Sequence, residues 1–359
     1  MRMRGVRLWG LAVVVFVSLV FGMIFAAQAQ TFNFKMATFY VAGDPAFDVA
    51  NHFAKLVKEK TGGKVNIEVF QAGELGFPVV EILEATSRGV IETAIFYTSY
   101  KAAQDAVMAL AGGRPGPVFN FDEQVKYVKA VEDIVASAFK RFGVTYIGPI
   151  VYGEPEILVS TKPLTGIKDI KGRIFRASGM AAEFYKALGA QAVMLPAGEL
   201  YQALQLGTID GLEWTDFTAN YKLGFYEVAK HVLEPTKGVN LHSEAAVHAF
   251  LVFNPAVWDK LPKEYQEIVK SSCAEAYKWG GEFIANLNKE YRQKWIDAGA
   301  KVVQLPQEDL DQIISVGAKL IASYAAKSPD AKDFCLKLIP LWKELGYERW
   351  SKALEGELK

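Results

Sequence analysis

Residues 172–214 read GRIFRASGMAAEFYKALGAQAVMLPAGELYQALQLGTIDGLEW. The stretch holds a short apolar strand closed by Arg176, then Ala177-Ser178-Gly179, a tight turn with an N-capping serine before the helical run AAEFYKALG. A strand at residues 191–195, a helix opened by Pro196 and a second strand, TIDGLEW, deliver Glu213 and Trp214 one βαβα unit later. A guanidinium fork beside helix amides is a carboxylate trap. The spacing predicts that Arg176 and Glu213 face a common cleft. Glu199 complements the dipole in a first helical turn, and Gly207 and the Asp210-Gly211 pair serve sharp turns.

The surrounding chain alternates in the same way. A strand is expected from Phe32, a helix over 45–61 with Phe47, Ala50, Phe53, Ala54 and Val57 on one side, and an alternating strand over 64–70. A helix over 79–88 and a strand over 91–97 follow, ending in the tip YTSY. Such alternation predicts a parallel-rich sheet with helices on both faces. Ligands in such folds sit at the carboxyl ends of strands, which makes Tyr97, Ser99 and Tyr100 candidate pocket residues, with aromatic packing the competing role. Phe119 and Phe121 suit core packing more than ligand shielding.

The order RxxRxSG, LGA and LPxGELYxALQxGxIDGxEW resembles the solute-binding proteins of tripartite ATP-independent periplasmic (TRAP) transporters. Glu-Trp after IDG resembles the branch that binds 2-oxo or 2-hydroxy acids with a metal ion. The resemblance implies an α/β, periplasmic binding protein-like fold: two α/β lobes around a cleft, with a long helix spanning both. Lobe I would be residues 30–150 completed by a return strand near 245–255, lobe II 151–244, the spine helix 261–299, and a helical segment 300–359. It also implies that Arg176 grips a ligand carboxylate, that Glu213 and Trp214 line or ligate the site, and that the loop carrying His242 faces the cleft. The family's spacing places Glu156 in the site, where a neutral amide is the family's usual choice.

Three readings of Glu156 stay open: metal ligand, ion-pair partner or surface residue. If it faces the site, two protein carboxylates and one ligand carboxylate against one arginine leave two negative charges, which calcium would neutralise. If it points away, sodium suffices.

Residues 1–29 combine Arg2, Arg4 and Arg7, an apolar run and an Ala27-Gln28-Ala29 exit, the parts of a cleaved secretory signal peptide; an uncleaved anchor is the rival reading. Periplasmic residence follows from the first. With 40 basic and 40 acidic residues overall, the chain lacks the basic surplus of a nucleic-acid binder. No HExxH, GxSxG or CxxC occurs, so hydrolase, zinc and redox centres are not visible. His52, His231 and His248 share no metal spacing.

A helix with Tyr265, Ile268, Val269, Ala276, Phe283, Leu287 and Tyr291 at helical spacing is expected over 261–299, roughly 50 Å long at 1.5 Å per residue. The helices after it either pack on this spine or exchange with a second subunit in a homodimer. Cys273 and Cys335 either bridge or stay buried and free. The resulting expectation is capture of a small organic acid for the membrane subunits of a TRAP transporter. An exported enzyme using Glu213 as base and a ligand-loaded sensor subunit are the alternatives. Replacing Arg176 by Ala is expected to abolish acid binding and to leave the melting of the empty protein nearly unchanged.

Overall fold

The computed structural model describes residues 30–236, 238–239 and 249–359. The expected leader and His242 lie outside the described residues. Within them, eleven strands form two sheets: β1 (Phe32–Ala37), β2 (Val65–Phe70), β3 (Thr93–Tyr97), β4 (Thr145–Val151), β5 (Leu158–Ser160), β6 (Ile174–Arg176), β7 (Gln191–Val193), β8 (Gly211–Glu213), β9 (His231–Glu234), β10 (Ala249–Phe253) and β11 (Lys301–Gln304).

The first sheet has the order β2-β1-β3-β10-β4, with β1 parallel to β2 and β3 and with β10 antiparallel to both neighbours. Every residue of β3 and β10 is buried, which is why TAIFY and AFLVF read as continuous apolar runs and not as alternation. The helix Pro45–Lys60 covers this sheet. Asp44 caps it by accepting from the Ala46 N–H at 2.9 Å, Pro45 sits at its start, and Val49, Ala50, Phe53 and Val57 are buried. Gly62 and Gly63, at φ 58° and 77°, take the left-handed conformation that ends it.

The second sheet has the order β11-β9-β5-β8-β6-β7. Here β5 runs antiparallel to β8 and β9, while β6 is parallel to β7 and β8. The sheet is therefore less parallel than the alternation suggested. After β8 come two short helices, Phe217–Lys222 and Phe225–Val228, separated where Gly224 adopts φ 81°. The late strand β11 joins the second sheet beside β9, a pairing that no local pattern encodes.

A single helix of 35 residues, Lys263–Asp297, touches both sides. Its middle packs on the helix Pro45–Lys60 and on β4. Its end is tied to the second sheet by Trp295 Nε1 donating to the Phe217 carbonyl at 2.9 Å and by Arg292 forking onto Glu234 at 2.8 Å twice. Gly280 and Gly281 make the close approach possible: a Cβ would fall 2.9 Å from Val49 at the first and 2.6 Å from the Phe121 ring at the second. The helices Leu310–Ala325, Pro329–Glu344 and Glu348–Glu357 pack on one another and on the helix Phe121–Arg141, with Arg141 reaching Asp330 at 2.8 Å. Cys273 and Cys335 are both buried and free, and Cys273 Sγ donates to the Pro149 carbonyl at 3.3 Å.

This packing makes Gly281→Ala overpacked. We expect it to lower stability by about 1–3 kcal/mol in a denaturant titration. Gly198→Ala, in a helix with nothing within 4 Å of the new methyl, should be neutral or stabilising. Equal stability of the two variants would contradict the close spine contact.

Candidate functional site

The register between β6 and β8 builds the site. Phe175 pairs with Gly211 and Arg176 with Leu212, so Arg176 and Glu213 emerge at the same carboxyl edge. Asp210 locks the two chains at the other end: its N–H donates to the Ile174 carbonyl at 2.7 Å and its carboxylate accepts the Ile174 N–H at 2.8 Å. Gly211 is required there, because a Cβ would strike the Val159 carbonyl and lie 2.6 Å from the Phe175 ring.

Arg176 is 2% exposed. Its Nη1 donates to the Glu213 carbonyl at 2.9 Å and to Glu213 Oε2 at 3.1 Å, and its Nε donates to the Leu195 carbonyl at 3.2 Å. The guanidinium lies over the Trp214 ring, 4.7 Å from its centroid. These bonds use Nε and Nη1 and leave the Nη2 donors of the five-donor fork for a ligand. Ser178 stands at the N-cap position of the helix Gly179–Ala187 but makes no capping bond with its side chain, contrary to the expected role. It lines a cavity with Arg176, Glu213 and Trp214 instead. The cavity is small, with about 40 Å³ of space for the centres of water-sized molecules.

The first sheet supplies the opposite wall. Phe39 and Tyr40 leave the end of β1 with ring centroids 4.0 Å apart, and Phe39 also packs on Tyr97 at 5.9 Å and Tyr100 at 5.7 Å. Tyr97 and Tyr100 thus line the cavity; Ser99 does not, its Oγ accepting from the Gly113 N–H at 2.9 Å. Burial pushes the Tyr100 hydroxyl up to about 12 and Tyr97 well above its ordinary range, with Glu213 adding to both. Phe119 packs on Tyr127 and Tyr347, and Phe121 on Tyr152 and Tyr277, away from the cavity. Glu199 is exposed in its first helical turn.

Glu156 precedes β5 and is 1% exposed, so the surface reading fails. Burial pushes its carboxyl up to about 8, and the Arg176 charge opposes that rise. Two carboxyls against one guanidinium, all buried, form a set that holds a proton or a hard cation. Among the described residues no group of three or more His, Cys, Asp or Glu side chains could hold a metal ion. An ion here would therefore need backbone or ligand oxygens beside Glu156 and Glu213. The all-oxygen donor set fits calcium or sodium and not a soft metal.

Sequence reasoning missed Phe39, Tyr40, Asp44 and Asp216, all of which line the cavity. The strand-end rule applied to β1 as well as β3 would have found the first two. Asp44 and Asp216 read as helix caps, which they also are. Burial raises Asp44 to about 7, Asp216 to about 6 and nearby Glu154 to about 7.

Residues 36–328 match the family described as bacterial extracellular solute-binding protein, family 7 (DctP). The chain is 27% identical over 330 residues to the monocarboxylate 2-oxoacid-binding periplasmic protein of Nostoc sp., covering 91% of this chain and 85% of that one. A TRAP transporter solute-binding protein of Bordetella bronchiseptica, a mixed-occupancy dimer with copurified calcium and picolinate, superposes with a TM-score of 0.78 at 23% identity, covering 91% of this chain and 97% of that chain. One from Pseudoalteromonas atlantica, with sodium and pyruvate, superposes with a TM-score of 0.78 at 21% identity, covering 91% and 98%. Two-sheet fold and family match agree: the chain belongs to the DctP family of bacterial extracellular solute-binding proteins.

Proposed function

We propose that this protein is the periplasmic solute receptor of a TRAP transporter, exported by a cleaved leader, and that it captures a small monocarboxylate bearing a 2-oxo or 2-hydroxy group. The observation that carries the reading is Arg176: buried at a strand end, held rigid through Nε and Nη1, with its remaining donors available at a cavity. The relative from Nostoc, named for 2-oxoacids, and the neighbours with picolinate and pyruvate support the ligand class. Tyr97, Tyr100 and the Trp214 ring would shield the bound acid from water. His242 stays a proposed donor from the loop outside the described residues.

Glu213 and Glu156, with the Trp214 backbone oxygen, would hold the cation, which when bound offsets the negative charge of the carboxylates. Glu156 is buried within the field of Arg176 without lining the cavity; counted with Glu213 as a ligand, it tips the charge balance towards calcium over sodium. Capture needs no bond chemistry, and Glu213, engaged by Arg176 at 3.1 Å, is placed as a counter-ion and not as a free base. Membrane subunits of the transporter would take the acid, and pairing of two chains through the C-terminal helices is the proposed oligomer.

Arg176→Ala should weaken binding of a 2-oxo acid at least 100-fold by calorimetry. It should also destabilise the empty protein, contrary to the expectation from sequence, because removing one partner of a buried pair costs about 3–5 kcal/mol. Binding within threefold of the parent would contradict the assignment.

A second prediction concerns pH. Glu156 is raised from 4.5 to about 8, so between those values the folded empty chain keeps a proton that the unfolded chain has lost. Its contribution to stability therefore falls as pH rises through that window. A cation ligated by Glu156 displaces that proton, so calcium affinity should rise from pH 6 to pH 8 with proton release. Calorimetry in buffers of different ionisation enthalpy reads the release. Glu156→Gln should flatten the pH dependence and lose the calcium preference; an unchanged profile would exclude Glu156 as a ligand.

A further inference from the structure

The cavity has a second set of polar lining residues besides Arg176 and Glu213. Asp44, from the turn after β1, and Asp216, from the turn after β8, line it from opposite sheets and are 4% and 3% exposed. Each caps a helix through Oδ1: Asp44 accepts the Ala46 N–H at 2.9 Å, and Asp216 accepts the Thr218 and Ala219 N–H groups at 2.9 and 3.0 Å. Capping alone does not require that both caps border one cavity.

Tyr40 provides a separate observation. It lines the same cavity and is 6% exposed, and its hydroxyl has no hydrogen-bond partner among the described residues. A buried hydroxyl without a partner asks for one from a ligand or water. The charges around these residues are mostly negative: Asp48 and Glu154 add to the field of Asp44 and Asp216. Two cations oppose this field, Lys222 towards Asp44 and Lys289 towards Glu154, and both are exposed.

We propose that Asp44, Asp216 and Tyr40 recognise a hydrogen-bond donor on the ligand, an O–H or N–H group separate from the carboxylate. The inference rests on Arg176 holding that carboxylate. A carboxyl group keeps acceptor oxygens whether or not it carries a proton, and a tyrosine hydroxyl accepts or donates. A donor seated between the two aspartates ties the first sheet to the second. Arg176 and Glu213 cannot do this alone, because both stand on the second sheet. The ligand class narrows accordingly, from any small 2-oxo or 2-hydroxy acid to one with a separate hydroxyl, amide or ammonium. Phe39, Tyr97 and Ile284 line the same cavity, which suits a short apolar or planar spacer. A site built to hydrogen-bond such a group rejects the analogue that lacks it, because its own polar groups are then left without partners.

The test uses calorimetry on the purified protein with calcium present and two matched pairs of acids: 2-oxobutyrate against 4-hydroxy-2-oxobutyrate, and butyrate against 4-aminobutyrate. The donor-bearing member of at least one pair should bind at least tenfold tighter. Asp44→Asn keeps a good helix cap and should cut that ratio at least tenfold; Tyr40→Phe should cut it too, and stands as the second variant if the first misfolds. Equal binding within both pairs, or a ratio indifferent to both substitutions, would overturn this inference and leave the carboxylate role of Arg176 standing. Binding of no acid, or binding that survives Arg176→Ala, would instead overturn the carboxylate reading and this inference with it.

Discussion

The site depends on one buried ion pair inside one sheet. Arg176 and Glu213 sit on adjacent parallel strands, both 2% exposed, and their contact is set by strand register and not by lobe movement. Burying two charges costs several kcal/mol each unless they meet and their remaining donors and acceptors are satisfied. Two backbone carbonyls, from Leu195 and Glu213, and the face of Trp214 supply that satisfaction. The guanidinium is therefore oriented before any ligand arrives, so little rotamer freedom is lost on binding. Glu156 beside the pair adds a second carboxyl, and that excess gives the site an appetite for a proton or a hard cation.

Capture then divides between the sheets. The second carries the charges; the first carries rings, Phe39, Tyr40, Tyr97 and Tyr100, which exclude water without competing for the carboxylate. A charged hydrogen bond contributes about 1.5–3 kcal/mol, whereas micromolar affinity needs about 8. Arg176 alone falls short, and the balance has to come from closing the aromatic wall over the ligand and from the cation. The helix Lys263–Asp297 touches both halves and is pinned at its end by Trp295 and Arg292. Such a spine would limit any hinge closure around a ligand to a bend.

Much of this was legible in the chain because it is local. Residues 172–214 contain both site strands, their turn glycines and the Asp210 clamp, so spacing alone brought Arg176 and Glu213 together. The long helix announced itself by period, and Tyr97 by its place at a strand end. What escaped was decided by distant parts of the chain. Whether Glu156 faced in or out depended on how β5 sits against β8 and β9, and β11 found its place beside a strand seventy residues earlier in the order. Asp44 and Asp216 were hidden by their own good local explanation as helix caps.

The central claim is that Arg176 and a cation held by the two glutamates jointly take a carboxylate out of water. A crystal structure of the protein grown with calcium and a 2-oxo acid tests it most directly. The account predicts the ligand carboxylate on Arg176 Nη2 and one calcium ion shared by the ligand, Glu213 and Glu156. An acid bound away from Arg176, or bound there with no cation between the two glutamates and the ligand, would contradict it.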